Sequence, residues 1–228
     1  MEPYDPVAED YAAVFGDIGV RLFEWPWIRG LVREKKPRSL LDLGCGNGYL
    51  SKALEGTVPE RYALEPSPVM CSIAEKNLGG GVVLLRGAAE SMPFGDGSFD
   101  MVISLLSFRY MAWDRALDEI YRVLKKDGVF ILVDLFAGSF NPLYFPGYLA
   151  AWAAVRIHHM RNRGYYKKLR RLTRSAAWRR LVREHPRRSL SDARAMIKGK
   201  FYIERFRILG AGLRGSTAGL VCGKRAPF

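Results

Sequence analysis

Three glycines in a short loop, flanked by two acidic residues, form the pattern in this sequence that best suits ligand chemistry. Glycine occupies positions 44, 46 and 48, Asp42 precedes the first of them by two residues, and Glu65 follows the last by 17 residues. Such a loop turns sharply and lets a ligand approach the backbone without meeting a Cβ atom. A carboxylate at Glu65 can accept hydrogen bonds from both hydroxyls of a ribose. Because an acid at Asp42 would not suit a pyrophosphate, it indicates a cationic group on the ligand.

The residues around the loop predict the elements that must position it. The apolar run at 39–43 leads into the glycines, and a helical pattern follows at 49–54. Strand, glycine loop and helix therefore follow one another. The loop alone would also fit an ordinary tight turn, with Asp42 as a cap of the helix.

The same alternation continues along the chain. Further strands are predicted at 61–65, 82–86, 99–106 and 129–136, helices at 68–78 and 113–124, a turn at 127–128, and a closing antiparallel pair at 206–209 and 217–223. Alternating strands and helices imply a parallel sheet with right-handed crossovers. We therefore expect an α/β, Rossmann-like fold with a mostly parallel seven-stranded sheet, an antiparallel last strand and a helical insert before the final hairpin.

Composition excludes several other classes of protein. The 228 residues are 49% apolar and 26% charged, which is typical of a globular chain and not of a disordered or fibrous one. The three cysteines form no CxxC pair, so neither a disulfide framework nor a zinc site is expected, and a reducing compartment fits best. The N-terminus lacks the features of an export signal. The apolar stretch at 141–157 falls short of the ~20 clean residues that span a bilayer. We expect a cytoplasmic protein.

Several motifs in register resemble those of the class I S-adenosylmethionine-dependent methyltransferases. They lie at 40–49, 65–67, 89–94, 98–104 and 119–128. Within that superfamily the chain is most similar to the small-molecule branch that includes quinone and sterol methyltransferases. The resemblance implies a single methyltransferase domain over 1–228, with an N-terminal helical cover (1–37), a cofactor-binding core (38–138), a basic helical insert or lid (139–200) and closing strands (201–228).

The resemblance also implies a role for each motif in binding S-adenosylmethionine. The glycine loop would cradle the methionine end with Asp42 near its ammonium, Glu65 would hold the ribose, and Ser104 would lie next to the donor methyl. The cofactor-binding residues expected on this basis are Asp42, Gly44, Cys45, Gly46, Asn47, Gly48, Glu65, Pro66, Ala89, Glu90, Ser104 and Tyr11. Ala89 and Glu90 would lie beside the adenine, and Tyr11 belongs to the aromatic cover. One departure is Ala88, where relatives often carry an Asp that accepts from the adenine amino group.

Methyl transfer requires alignment of nucleophile, methyl and sulfur more than it requires acid or base catalysis. No metal is required. Many relatives have histidines after the fourth strand, whereas the stretch 107–110 has none. Arg109, Tyr110 and Asp134, near the ends of strands four and five, are the candidates for a base, because strand carboxyl ends face the site.

The charge of the chain is concentrated in the insert. Residues 1–150 carry 15 basic and 20 acidic side chains, whereas residues 151–207 carry 18 and 3. Three interpretations of the insert stay open: a membrane-surface element attracted to anionic lipid, an RNA-binding element, and a solvated lid over the acceptor pocket.

These observations favour S-adenosylmethionine-dependent methyl transfer to a small or lipophilic acceptor. The alternatives are an RNA methyltransferase that uses the basic insert and a non-catalytic module that only binds the cofactor. The first of these three functions allows peripheral contact with the inner face of a membrane through the insert.

Overall fold

The computed structural model describes residues 2–138, 145–212 and 215–224 and contains one seven-stranded sheet. The strands are β1 (Ser39–Leu43), β2 (Glu60–Glu65), β3 (Val82–Arg86), β4 (Phe99–Leu105), β5 (Leu124–Phe136), β6 (Phe201–Gly212) and β7 (Gly215–Lys224). Their order in the sheet is β3-β2-β1-β4-β5-β7-β6. The pairs from β3 to β5 are parallel, and β7 runs antiparallel to both of its neighbours. The expected fold class is confirmed.

The helices cover the two faces of the sheet and its carboxyl edge. They are α1 (Ala8–Val14), α2 (Glu24–Lys35), α3 (Tyr49–Ala53), α4 (Pro68–Leu78), α5 (Trp113–Val123), α6 (Phe145–Arg161), α7 (Arg163–Arg174), α8 (Ala176–Glu184) and α9 (Leu190–Lys198). In the described ranges, none of them combines the length and the apolarity that crossing a bilayer demands.

The sheet is buried because its central strands are apolar on both faces. All five residues of β1 are buried, as expected for a parallel strand covered by helices on both sides. On one face α5 packs with Ala116, Leu117 and Ile120 inward, at the spacing of a helix stripe. On the other face α2 buries Ile28 and its neighbours. These two layers hold the carboxyl ends of the strands in place.

One turn predicted from the sequence lies inside a strand. Asp127 and Gly128 were expected to end the helix and start β5, whereas β5 is continuous from Leu124. Leu124 pairs with Phe99 and Val129 with Met101, so residues 125–128 bulge out against a single residue of β4. The polar sequence that predicts a turn produces a bulge here.

The N-terminal segment and the basic insert pack on each other. Val7 and Val14 form a buried cluster with Leu172 of α7 and Leu181 of α8. The expected opening of the insert at 139–144 lies outside the described residues. In the part that is described, α7 and α8 of the insert pack on the N-terminal cover.

A glycine in β7 provides a test of how tightly α2 packs on the sheet. A Cβ atom at Gly219 would overlap the indole ring of Trp27. We expect Gly219→Ala to lower the unfolding free energy by ~1–3 kcal/mol through overpacking, measured by chemical denaturation. Gly30→Ala is the matched control, because Gly30 lies in α2 with open space around it. That change should raise stability by ~0.5–1 kcal/mol. Equal effects of the two changes would contradict the packing described.

Candidate active site

A cavity of about 280 Å³ opens at the carboxyl ends of β1, β2 and β4. The expected cofactor-binding residues that line it are Asp42, Gly44, Cys45, Gly46, Asn47, Glu65, Pro66, Ala89, Glu90 and Tyr11. Gly48 and Ser104 are not among the lining residues. Of the candidates for a base, Tyr110 lines the cavity, whereas Arg109 and Asp134 do not.

The three glycines of the loop have different surroundings. All three have positive φ, a conformation that side chains with a Cβ rarely adopt. A Cβ at Gly44 would lie 2.6 Å from the hydroxyl of Ser107, and one at Gly48 would lie 2.9 Å from Leu78. A Cβ at Gly46 would meet no protein atom within 4 Å. Gly44 and Gly48 therefore permit close packing, whereas Gly46 leaves its space to the cavity.

Glu65 joins the glycine loop to the loop after β2. The backbone N–H of Gly46 donates to its Oε2 at 2.9 Å, and the N–H of Ser67 donates to its Oε1 at 3.0 Å. Burial raises the pKa of this carboxyl, and the two hydrogen bonds oppose the rise. Each carboxylate oxygen keeps a second lone pair, so the side chain can still accept from a ligand in the cavity.

Asp42 is buried, and among the residues that the structure describes it has no cationic partner within hydrogen-bond reach. The hydroxyl of Ser51 donates to its Oδ2 at 2.8 Å. Burial raises the pKa of Asp42 to about 7, helped by the nearby charge of Glu65. A cationic group in the cavity would stabilise the ionised form.

The N-terminal cover is tied to the rim of the cavity at two points. The side-chain amide of Asn47 donates to the carbonyl of Phe15 at 2.9 Å. The hydroxyl of Ser67 donates to Asp5 at 2.6 Å. Asn47 follows Gly46, which donates to Glu65, and Ser67 itself donates to Glu65, so the cover and the loops form one connected network.

The residues that follow β4 pack against the glycine loop. Ser107 donates to the carbonyl of Leu43 at 3.0 Å, and its hydroxyl lies 2.8 Å from that of Ser104. Leu106 lines the cavity with φ of 59°, a left-handed conformation that is rare for a residue with a Cβ. Ser104 therefore lies behind Ser107, which takes the place at the cavity wall.

Tyr110 is the candidate from strands four and five whose side chain reaches the cavity. Its hydroxyl is contacted by the guanidinium of Arg109 and lies 3.2 Å from the hydroxyl of Tyr4. Burial raises the pKa of Tyr110. Asp134 accepts from the backbone N–H of Arg109 at 3.0 Å, and burial raises its pKa to about 6. Asp134 and Arg109 thus position the turn that carries Tyr110.

Several residues of the cavity wall were not predicted as site residues. They are Phe15, Arg21, Ser67, Leu106, Ser107 and Met111, among others. Ser67 and Ser107 follow strand ends, so the position of a residue after a parallel strand was a usable signal. Arg21 and Met111 carried no such signal, because tertiary packing brings them to the cavity.

The chemistry of the wall fits S-adenosylmethionine. The open space in front of Gly46 allows backbone approach, Asp42 has no ion pair with any described residue, and Glu65 has accepting capacity left. These features match a methionine end with an ammonium group and a ribose with two hydroxyls. At Ala88 the wall has no side-chain acceptor for the adenine.

A pair of glycine variants separates loss of binding space from backbone strain. Gly46 and Gly56 both have positive φ and no atom within 4 Å of an added Cβ, but only Gly46 lines the cavity. We expect Gly46→Ala to weaken S-adenosylhomocysteine binding at least tenfold in calorimetry. Gly56→Ala should leave that affinity unchanged, although both variants lose about 1 kcal/mol of stability. An equal effect of both variants on affinity would contradict the assignment of the loop.

The raised pKa of Asp42 has a consequence for stability. Between pH 4 and pH 7 the folded chain holds a proton that the unfolded chain has released, because the pKa of Asp42 rises from the ordinary aspartate value of 3.8 to about 7 in the fold. Stability is therefore lost as pH rises through this window. We expect Asp42→Asn to raise the melting temperature more at pH 8 than at pH 5, measured without ligand, and to weaken S-adenosylhomocysteine binding at pH 8. If Asp42→Asn raised the melting temperature equally at pH 5 and pH 8, Asp42 would not be the titrating group.

Comparison with known proteins supports the same assignment. Residues 41–132 match the family model of a methyltransferase domain. A demethylmenaquinone methyltransferase of Thermotoga maritima is 34% identical over 161 residues, which are 67% of this chain and 69% of the relative. A malonyl-[acyl-carrier protein] O-methyltransferase of Serratia marcescens is 32% identical over 133 residues, which are 58% of this chain and 49% of the relative. The chain thus spans about half the length of the second relative.

A solved structure of similar size shares the fold. A candidate sarcosine dimethylglycine methyltransferase from Galdieria sulphuraria superposes with a TM-score of 0.66 at 15% identity, covering 96% of this chain and 98% of that one. At this identity the likeness concerns the fold alone. The family match and the identity to the Thermotoga relative concern the sequence itself. The chain belongs to the class I S-adenosylmethionine-dependent methyltransferases of the small-molecule type.

Proposed function

We propose that this protein transfers the methyl group of S-adenosylmethionine to a small, lipophilic acceptor with an aromatic ring. The observation that carries the proposal is the wall that the N-terminal cover gives to the cavity. Five aromatic side chains line the cavity. One is Tyr49, and the other four, Tyr4, Tyr11, Phe15 and Tyr110, form one connected group. They pack edge to face or tilted against one another. Such a wall binds flat apolar molecules and excludes water.

The cofactor supplies a methyl group bonded to a cationic sulfur, which leaves with the bonding electron pair when a nucleophile attacks in line. The chain's own residues would align the partners. In this proposal Asp42 faces the ammonium of the cofactor, Glu65 accepts from the ribose, and the backbone at Gly46 contacts the methionine end. Ala89 and Glu90 lie beside the adenine. Alignment and the exclusion of water supply most of the rate for this kind of reaction.

The acceptor would contact Tyr110. Its phenol stays protonated at neutral pH, because burial raises its pKa. Arg109 and Tyr4 both contact its hydroxyl oxygen, so the phenol is suited to orient a polar group of the acceptor rather than to remove a proton. Arg109 and Asp134 act as positioning residues for it. Acceptors that are already nucleophilic at neutral pH fit this arrangement.

One of the two relatives described above favours the same class of acceptor. The Thermotoga relative is a demethylmenaquinone methyltransferase, and demethylmenaquinone is an aromatic, lipophilic molecule. The Serratia relative acts on malonyl-[acyl-carrier protein] according to its name, so the proposal depends on the aromatic wall and not on one relative. A lipophilic acceptor would be met at a membrane surface, and we include peripheral membrane contact in the proposal.

A screen with labelled S-adenosylmethionine tests the acceptor class. We expect label to enter hydroxylated naphthalenes and quinols with short apolar tails, and not small hydrophilic amines or tRNA. Label on tRNA alone would contradict the proposal in favour of an RNA substrate. Failure of every acceptor class, with cofactor still bound in calorimetry, would favour a module that binds without catalysis.

The role of Tyr110 is tested by removing one oxygen. Tyr110→Phe keeps the ring in the aromatic wall and removes the hydroxyl. We expect kcat with the best acceptor to fall about tenfold, because the acceptor loses its orienting hydrogen bond. The affinity for S-adenosylhomocysteine should be unchanged. Tyr62→Phe is the matched control, since Tyr62 packs in the core on Phe94 and Phe99. Native kcat in Tyr110→Phe would remove Tyr110 from the mechanism.

A further inference from the structure

We propose that α6 and α7 together form a docking surface for an anionic lipid membrane. Such docking deepens the proposed function, because it assigns residues and a lipid class to the membrane contact. The biological use of the docking rests on the lipophilic acceptor proposed above. The docking itself is measurable without methyl transfer.

The first half of the surface is an apolar stripe on α6. Leu149, Ala153, Ile157 and Met160 recur at helical spacing and are all exposed. Leu149 is 53% exposed, Ile157 47% and Met160 63%. These are three of the six large exposed apolar side chains in the described ranges. Clustered apolar exposure of this kind marks an interaction site.

The second half is a basic face on α7. Lys167, Arg170, Arg171 and Arg174 line one shallow groove with the ring of Tyr166. All four cations are exposed. Arg171 has a long ion pair with Asp10 at 3.8 Å. Further exposed cations on these helices and on α8 are Arg161, Arg163, Lys168, Arg179, Arg180 and Arg183.

Negative charge is almost absent from the same region. Glu184 is the single acidic residue between 151 and 191, and it is paired with Arg180 at 2.8 Å. Exposed Arg161 lies four residues after Ile157, so a cation borders the stripe on α6 itself. Helix α7 packs on α6 through the rings of Tyr165 and Tyr166, which contact that of His158. Aliphatic side chains beside uncompensated cations are what a membrane-surface helix presents to acyl chains and anionic headgroups.

The inner side of these helices explains why lipid is a better partner than RNA. Trp178 of α8 stacks on Tyr11 of the cover, and Tyr165 of α7 contacts Phe15 edge to face. These rings are turned toward the cavity wall, so they cannot stack on splayed bases, which is how single-stranded RNA is bound. The outer side offers aliphatic groups and charge, and the ring of Tyr166 in its basic groove is already packed on His158 and Tyr165. The same helix α7 therefore contacts the aromatic cover on one side and would contact lipid on the other.

Vesicle binding of the full chain tests the proposal. The probes are phosphatidylcholine vesicles with and without ~30% phosphatidylglycerol, and binding is followed by co-sedimentation. We expect binding to the anionic vesicles, little binding to pure phosphatidylcholine, and loss of binding when salt is raised from roughly 0.1 M to 1 M, because the Debye length shortens from ~10 Å to ~3 Å.

Two variants separate the apolar and the basic contributions. Ile157→Asp combined with Met160→Asp should weaken binding to anionic vesicles at least tenfold. Lys167→Glu combined with Arg170→Glu and Arg174→Glu should do the same. The control for the apolar variant is Val83→Asp, at a side chain 48% exposed on β3. The control for the basic variant combines Arg29→Glu, Arg115→Glu and Lys126→Glu, which make the same change in net charge at exposed positions elsewhere. Both controls should bind like the native chain.

Calorimetry with S-adenosylhomocysteine checks that every variant still folds and binds cofactor. Native cofactor affinity with lost vesicle binding supports the docking surface whatever the acceptor screen gives. Equal binding to both vesicle types, no binding to either, or equal loss in variants and controls would overturn the proposal. A dimer in light scattering that the α6 variant abolishes would also overturn it, because the stripe would then belong to a second copy of the chain.

Discussion

The carboxylate of Glu65 is the constraint on which the candidate site depends. It is buried and accepts from the backbone of two different loops, at Gly46 and at Ser67. A buried charge is tolerated only when hydrogen bonds replace its hydration. These two contacts therefore keep both loops at the carboxylate, and Ser67 extends the network to Asp5 of the cover. The cavity has its shape because one side chain links the ends of two adjacent strands.

In the described part of the chain, neither Asp42 nor Glu65 forms an ion pair, and the cation of the cavity wall, Arg21, donates to the hydroxyl of Tyr11 instead. Burial raises the pKa of Asp42 and of Glu65, and the charge of Glu65 adds to the rise at Asp42. The apoprotein is less stable at neutral pH than it would be with neutral groups there. In the proposed function, a ligand with an ammonium group would remove part of this penalty, so the same electrostatics would favour its binding.

The parallel core could be predicted from the sequence because its signals are local. The run at 39–43, the glycines and the helix that follows are contiguous, and Val82–Arg86 and Pro68–Leu78 agree with the predicted bounds. The bulge in β5 could not be predicted, because it depends on the register with β4. The packing of Val7 and Val14 on Leu172 and Leu181 joins residues more than 150 positions apart. Composition gave the charge of the insert, but not which of its sides faces the cavity.

The central claim is that a loop held by Glu65 binds S-adenosylmethionine. It is tested most directly by calorimetry of S-adenosylhomocysteine with the native chain and with Glu65→Gln. The amide keeps one accepting oxygen and presents an N–H₂ group to a backbone N–H that needs an acceptor. We expect the variant to bind at least tenfold more weakly, which is about 1.4 kcal/mol, while its melting temperature stays within a few degrees of native. Unchanged affinity would contradict the account, because the loop geometry and the ribose contact would then not depend on this carboxylate.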